Sequence, residues 1–197
     1  MATPKASHLA ATKRILRYVK GTIEYGILYQ NGGTTEITFY SDSNYVGDSD
    51  DRRSTSRAVF IIGLGVVSWA SRKRSIVSLS NTKAEYIATA ACGCQCIWLH
   101  RILEHIGIER KESITILCDN NSGSTIQLSK NPVFHGRSKH IAVKLHFLRD
   151  LVDDHVVQLK YCNTQEQVAD IMTKAVKLEQ FEKLRQMLGV VDITTAS

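Results

Sequence analysis

Proline is nearly absent, with two residues in 197. So little proline excludes a collagen-like or proline-rich chain, and no low-complexity run marks a disordered tail. Long apolar runs are missing too. The most apolar stretch, Ala58 to Ala70, carries Gly63, Gly65 and Ser68 and is too short to span a bilayer. No membrane partner is expected. The N-terminus opens Met-Ala-Thr-Pro-Lys and turns basic and amphipathic, so no signal core is expected there. Cysteine is sparse and odd in number: Cys92, Cys94, Cys96, Cys118 and Cys162. No second pair with zinc spacing follows the first three. These read as reduced core thiols of an intracellular protein.

What remains is a globular composition, 43% hydrophobic and 22% charged. The length suits one domain with an appendage and buries a core without disulfides. Lys and Arg number 25 against 19 Asp and Glu, a net charge of +6. That basic excess points to an anionic partner, nucleic acid being the leading class.

Periodicity divides the chain. His8–Lys20 reads as a basic amphipathic helix closed by Gly21. Asn31-Gly32-Gly33 is a turn and a plausible boundary. Thr35 to Tyr40 alternates like a strand and runs into Ser41-Asp42. Ala58–Ile62 and Val66–Trp69 flank Gly63-Leu64-Gly65 as a hairpin, with an extension through Ile76–Leu79. A long helix is expected over Lys83–Ile106, its apolar stripe running through Ala84, Ala88, Ala91, Trp98 and Ile102. Ile114–Cys118 reads as a strand ending at Asp119. Helices are expected over Asn120–Ser129 and Ser138–Asp154, a strand over Val156–Tyr161, and helices over Gln165–Ala175 and Leu178–Leu188, with Gly189 as a stop. The helical crossover before the fourth strand predicts that it lies parallel to the first. The fold class is therefore α/β, a mixed sheet with helices packed on it.

Four acids stand at element ends instead of on solvated faces. Asp42 ends the first strand and Asp119 the fourth, its expected parallel neighbour. Ligand sites of open α/β sheets collect at such carboxyl ends. Glu85 lies in the first turn of the long helix, and Asp170 near the start of a late one. Paired carboxylates repel and invite a hard divalent cation such as Mg²⁺ or Mn²⁺. Each acid also has a plain structural role open to it. Asp42 can close an Asx-turn, Glu85 can form a capping box with Thr82, Asp119 can cap a helix, and Asp170 can favour a helix dipole. Trp69 and Trp98 read as packing residues, and Asp48, Asp50 and Asp51 as loop solvation.

The chain resembles the ribonuclease H domain of copia-type (Pseudoviridae) retrotransposon polyproteins. The matching segments are Tyr40-Ser-Asp-Ser-Asn-Tyr-Val-Gly-Asp48, Asp51-Arg-Arg-Ser-Thr-Ser56, Val67-Ser-Trp-Ala-Ser71, Lys83-Ala-Glu-Tyr86 and Trp98-Leu99. Further on come Cys118-Asp-Asn-Asn-Ser122, His135-Gly-Arg-Ser-Lys-His-Ile141, His146-Phe-Leu-Arg149 and Ala169-Asp-Ile-Met-Thr-Lys174. The segment His8–Lys20 with Gly21-Thr22 resembles the end of a reverse transcriptase thumb.

The resemblance implies a ribonuclease H-like five-stranded sheet, three antiparallel strands followed by parallel ones. It implies three divisions: a thumb-like remnant over 1–33, the ribonuclease H-like domain over 34–190, and a tail over 191–197. It implies hydrolysis of the RNA strand of RNA–DNA hybrids, with Asp42, Glu85, Asp119 and Asp170 as catalytic metal ligands for two Mg²⁺ ions, Mn²⁺ being an alternative. The nucleic-acid contacts expected beside them are Arg72, Lys73, Arg74, Asn120, His135, Arg137, Lys139 and His140. The implied partners are the hybrid and an upstream reverse transcriptase polymerase. The implied location is intracellular, in a cytoplasmic virus-like particle, with the nucleus as a second place. The competing reading is a catalytically inactive or relic nucleic-acid-binding domain. Three departures bear on that choice: Arg57 stands where glycine is common in the family, Asn44 where a second Asp is frequent, and Lys83 where Glu is frequent. A long cation at position 57 either reaches substrate or crowds a strand.

Overall fold

The computed structural model describes residues 4–31, 36–45, 53–74, 78, 80–108, 113–119 and 139–195. In chain order the elements are α1 (Ala6–Gly21), β1 (Tyr25–Ile27), β2 (Ile37–Asn44), β3 (Thr55–Ile62), β4 (Gly65–Lys73), α2 (Asn81–His105) and β5 (Ile114–Asp119). They continue with α3 (Lys139–Asp153), β6 (Val157–Cys162), two 3₁₀ turns (Thr164–Glu166 and Val168–Met172), α4 (Leu178–Met187) and β7 (Val190–Asp192). The helix expected over Asn120–Ser129 and the extension through Ile76–Leu79, apart from Ser78, lie outside the described residues.

Five strands form one sheet in the order β4-β3-β2-β5-β6. The β2–β3 and β3–β4 pairs are antiparallel, and β2–β5 and β5–β6 are parallel. This is the mixed, ribonuclease H-like sheet that the resemblance implies. Strand alternation splits its side chains between two cores. Ile37 and Phe39 face α2, packing with Phe60, Ile116, Cys92 and Cys96. Phe39 and Phe60 meet edge-to-face, their ring centres 4.9 Å apart. Tyr40, Val59 and Ile61 face the other way, onto Val168, Ala169 and Leu184. Asp42 and Arg57 share the parity of Tyr40 and Val59, and so belong to that second face.

Four local expectations change. The buried face of α2 runs through Ala84, Ala88, Cys92, Cys96 and Leu103, while Trp98 is 53% exposed and Ala91 also faces solvent. The shift follows from the thiols, which pack as small apolar groups at helical spacing. Trp69 is 57% exposed on β4, an edge strand, so neither tryptophan is a core residue. Cys92, Cys96, Cys118 and Cys162 are buried free thiols, but Cys94 is exposed. Finally, Gln165–Ala175 is not one α-helix; its place is taken by the two short 3₁₀ turns.

The segment before the sheet is tied to the end of the chain. β1 pairs antiparallel with β7, Gly26 opposite Val191. The Leu28 N–H donates to the Gly189 carbonyl at 2.9 Å, and the Tyr29 hydroxyl to the Val66 carbonyl at 2.6 Å. By contrast, α1 buries no residue. Among the described residues no helix is long and apolar enough to cross a membrane.

Candidate functional site: an acidic cluster with internal cations

Parallel pairing of β2 with β5 sets the frame. Ser41 is opposite Cys118, so Asp42 and Asp119 follow on adjacent strands at the same sheet edge. Both are buried, 2% and 9% exposed. Asp119 Oδ1 accepts a hydrogen bond from Thr164 Oγ1 at 2.9 Å, which joins the end of β5 to the first 3₁₀ turn.

Asp170 comes from the second 3₁₀ turn and is 4% exposed. Burial and the neighbouring Asp42 raise its pKa to about 6, against the opposing pull of Lys174. Glu85 reaches the cluster from α2. The N-cap of that helix is Ser80, whose hydroxyl accepts from the Lys83 N–H. The capping box expected from Thr82 and Glu85 is therefore not what places Glu85. Its carboxyl is 3% exposed and accepts a hydrogen bond from the Ser43 backbone. Burial first, then the charges of Asp42 and Asp119, push its pKa up to about 8. A group so placed holds its proton at neutral pH.

Two cations stand inside this cluster. Arg57 lies directly across from Asp42 in the β2–β3 register. Its Nη1 is 2.8 Å from Asp42 Oδ2 and donates to Asp170 Oδ1 at 3.0 Å. Its side chain is 0% exposed. Lys174 Nζ is 2.5 Å from the same Asp170 oxygen and 3.6 Å from Asp42 Oδ2, one helical step beyond Asp170. Sequence reading flags Arg57 as crowding a strand or reaching substrate; in the structure its guanidinium bridges two acids.

The donor set is the right kind for a hard divalent cation, since carboxylate oxygens suit Mg²⁺ and Mn²⁺. The arrangement does not fit one. Asp42 Oδ2 and Asp170 Oδ1 already face Arg57 and Lys174. Among the described residues no group of three or more His, Cys, Asp or Glu side chains is placed to hold a metal ion.

The expected nucleic-acid contacts divide. Arg72 and Lys73 end β4 on the surface. Arg74 is half-buried and turns part of its guanidinium inward. Its Nε donates to Ser56 Oγ and its Nη2 to the Ile87 carbonyl, which anchors the strand end to α2. Burial and Arg72 lower its pKa. These arginines line a cavity of about 230 Å³ between β3, β4 and α2, with Gln95 and Trp69 on its wall. Asn120, His135 and Arg137 lie outside the described residues, as do Asp48, Asp50 and Asp51; Lys139 and His140 open α3. Gln167, which the sequence does not single out, is 0% exposed and donates to the Ser41 carbonyl at 3.2 Å. Lys174 has a sequence signal in its spacing of four from Asp170; Gln167 has none.

No protein-family model matches the chain. The Retrovirus-related Pol polyprotein from transposon TNT 1-94 of Nicotiana tabacum is 37% identical over 190 residues, covering 96% of this chain and 14% of that protein. The corresponding polyprotein from transposon RE1 of Arabidopsis thaliana is 37% identical over 193 residues, covering 98% of this chain and 13% of that protein. The chain thus spans about one seventh of the curated relatives it matches. Among solved structures, the N-terminal RNase H domain of a Mycobacterium tuberculosis protein, fused to maltose binding protein, superposes with a TM-score of 0.48 at 12% identity. That match covers 78% of this chain and 98% of the other. With near-complete coverage by such polyproteins and a sheet of the ribonuclease H-like order, the chain belongs to the Pol polyproteins of copia-type retrotransposons, as a segment with the ribonuclease H-like fold.

Proposed function

We propose that this segment is a ribonuclease H-type nuclease module acting on RNA–DNA hybrids during retrotransposon reverse transcription. The observation that carries the reading is the gathering of Asp42, Asp119 and Asp170 at one sheet edge, with Glu85 reaching it from α2. Hybrid choice would come from backbone shape and RNA 2′-hydroxyl contacts, because phosphate contacts carry little sequence information. Arg72 and Lys73 are exposed at the end of β4, where the proposal places some of these contacts.

Hydrolysis builds negative charge on the scissile phosphate, and the ionised acids beside it repel that charge. Cations must intervene. In this chain Arg57 and Lys174 are paired with Asp42 and Asp170. Mg²⁺ or Mn²⁺, implied by the resemblance, enters the proposal only for a site that Arg57 has vacated. An upstream polymerase in the same polyprotein, and an intracellular setting in a virus-like particle, belong to the same proposal; the small share of its relatives that the chain spans supports the first.

The Arg57 bridge favours a second reading, hybrid binding without hydrolysis. Both are tested with a labelled RNA–DNA hybrid in Mg²⁺ or Mn²⁺, beside Asp119→Asn. The expected outcome is saturable hybrid binding with slow cleavage of the RNA strand that Asp119→Asn abolishes. Binding with no cleavage in either metal selects the second reading. Failure to prefer hybrid over duplex DNA overturns both.

A further inference from the structure

We infer that Arg57 is a resident counter-cation that keeps divalent metal off the Asp42–Asp170 pair, and that removing its charge turns the pair into a divalent-cation site. The inference rests on the nuclease reading for the meaning of the site, but its binding chemistry stands on geometry alone.

The two carboxylates are brought together by different parts of the fold. Asp42 is set by the register of β2 with β3, and Asp170 by a 3₁₀ turn that packs on the same sheet face. A single atom, Arg57 Nη1, fills the point between them at 2.8 and 3.0 Å. A divalent cation shared by both carboxylates needs oxygens at about 2.0–2.6 Å, and so needs that point. The two occupants exclude each other by volume, and their like charges repel in a site with little water.

Arg57 steps aside only at a cost that a surface cation does not face, which keeps the vacated state rare. It leaves from a strand at the centre of the β4-β3-β2 meander and has no exposed side-chain surface. Among the described residues its Nε and Nη2 have no hydrogen-bond partner, and the contacts described for its charge are to the acids. Leaving them would strand a buried guanidinium, which is strongly unfavourable. Nor can it be neutralised, since arginine stays protonated across the accessible pH range. Lys174 differs in kind. It is 36% exposed on a flexible stem and can withdraw its ammonium into water. Arg57 is therefore the lock, and Lys174 a displaceable ion.

The test is Mn²⁺ binding to the full chain at neutral pH without hybrid, followed by the paramagnetic signal of free Mn²⁺. Wild type, Arg57→Gln, Arg57→Lys, and Arg57→Gln combined with Asp42→Asn are compared. Arg57→Gln is expected to bind one Mn²⁺ at least tenfold more tightly than wild type. Arg57→Lys should bind as weakly as wild type, and Asp42→Asn should erase the gain. Equal affinity of wild type and Arg57→Gln overturns the inference. Should Arg57→Gln fail to fold, the wild-type chain still decides. Stoichiometric Mn²⁺ binding to wild type that Asp42→Asn removes overturns it, and no such site supports it.

Hybrid cleavage measured in parallel keeps the two readings apart. A gain of Mn²⁺ binding with no cleavage by either protein supports the inference and removes the nuclease reading. Wild-type cleavage with no gain in Arg57→Gln does the reverse.

Discussion

Gln167 and Ser41 are joined by one buried hydrogen bond that spans 126 positions of sequence, the Gln167 Nε2 donating to the Ser41 carbonyl. The same glutamine accepts from the Ala169 N–H through its Oε1. It thus pins the turn that carries Asp170 to the strand that carries Asp42. Gln167→Leu is expected to remove this buried hydrogen bond and to cost about 1–3 kcal/mol, read as a lower urea midpoint with unchanged slope. Because the turn is released, the Asp170 contact with Arg57 should loosen as well. Retention of both full stability and hybrid cleavage would show that the turn holds itself.

Glu85 predicts an alkaline loss of stability. Its folded pKa of about 8 lies above the ordinary 4.5. Between those values the folded chain holds a proton that the unfolded chain has released. Stability therefore falls as pH rises from about 4.5 to about 8 and is flat beyond. The largest effect allowed is on the order of 5 kcal/mol, with relaxation making it smaller. Glu85→Gln should remove that slope and be the more stable protein at pH 9, while matching wild type near pH 4. Denaturant midpoints across pH check it.

Lys174 restrains the proton affinity of Asp170. Burial and Asp42 raise that carboxyl to about 6, and Lys174 pulls it down. Lys174→Met should move the Asp170 titration above 6, followed through its side-chain carbon resonance. An unchanged midpoint would mean that Arg57 alone compensates the acid.

Gly189 adopts a φ of +75°, and a Cβ there would meet the Leu64 carbonyl oxygen at 2.2 Å. Both the backbone conformation and the close approach exclude a side chain. Gly189→Ala should cost at least about 2 kcal/mol. Its effect should centre on the β1–β7 ribbon, seen as faster amide exchange at Leu28 and Val66, whose N–H groups bond to Gly189 and Leu188.

Most of the sheet is legible in sequence because its signals are local. Ile37 and Phe39 alternate with polar neighbours, Gly63 and Gly65 punctuate a hairpin, and Ile114–Cys118 is a short apolar run. Asp42 and Asp119 can be located by the same means, since each ends a strand. What is not legible depends on distant partners. Nothing near Arg57 states that it faces Asp42 and Asp170; that follows from register and from a turn more than a hundred residues away. The α2 stripe is misplaced because cysteines at 92 and 96 act as core residues while Trp98 is left in solvent. β1 and β7 have three residues each, too few for periodicity to mark. The helix expected over Gln165–Ala175 gives way to tighter turns whose caps are Asn163 and Gln167, side chains that compete with a continuing helix.

The ribbon between β1 and β7 bears on how the chain can be cut. Residues 25–27 supply the hydrogen-bonding edge for residues 190–192, and the Ile193 N–H reaches back to the Glu24 carbonyl. A shortened protein that starts at residue 34 would bare that edge. Unpaired strand edges recruit other chains. Trimming residues 1–33 would therefore trade an intramolecular seam for a self-associating one, and the shortened protein should appear as concentration-dependent oligomers in sedimentation.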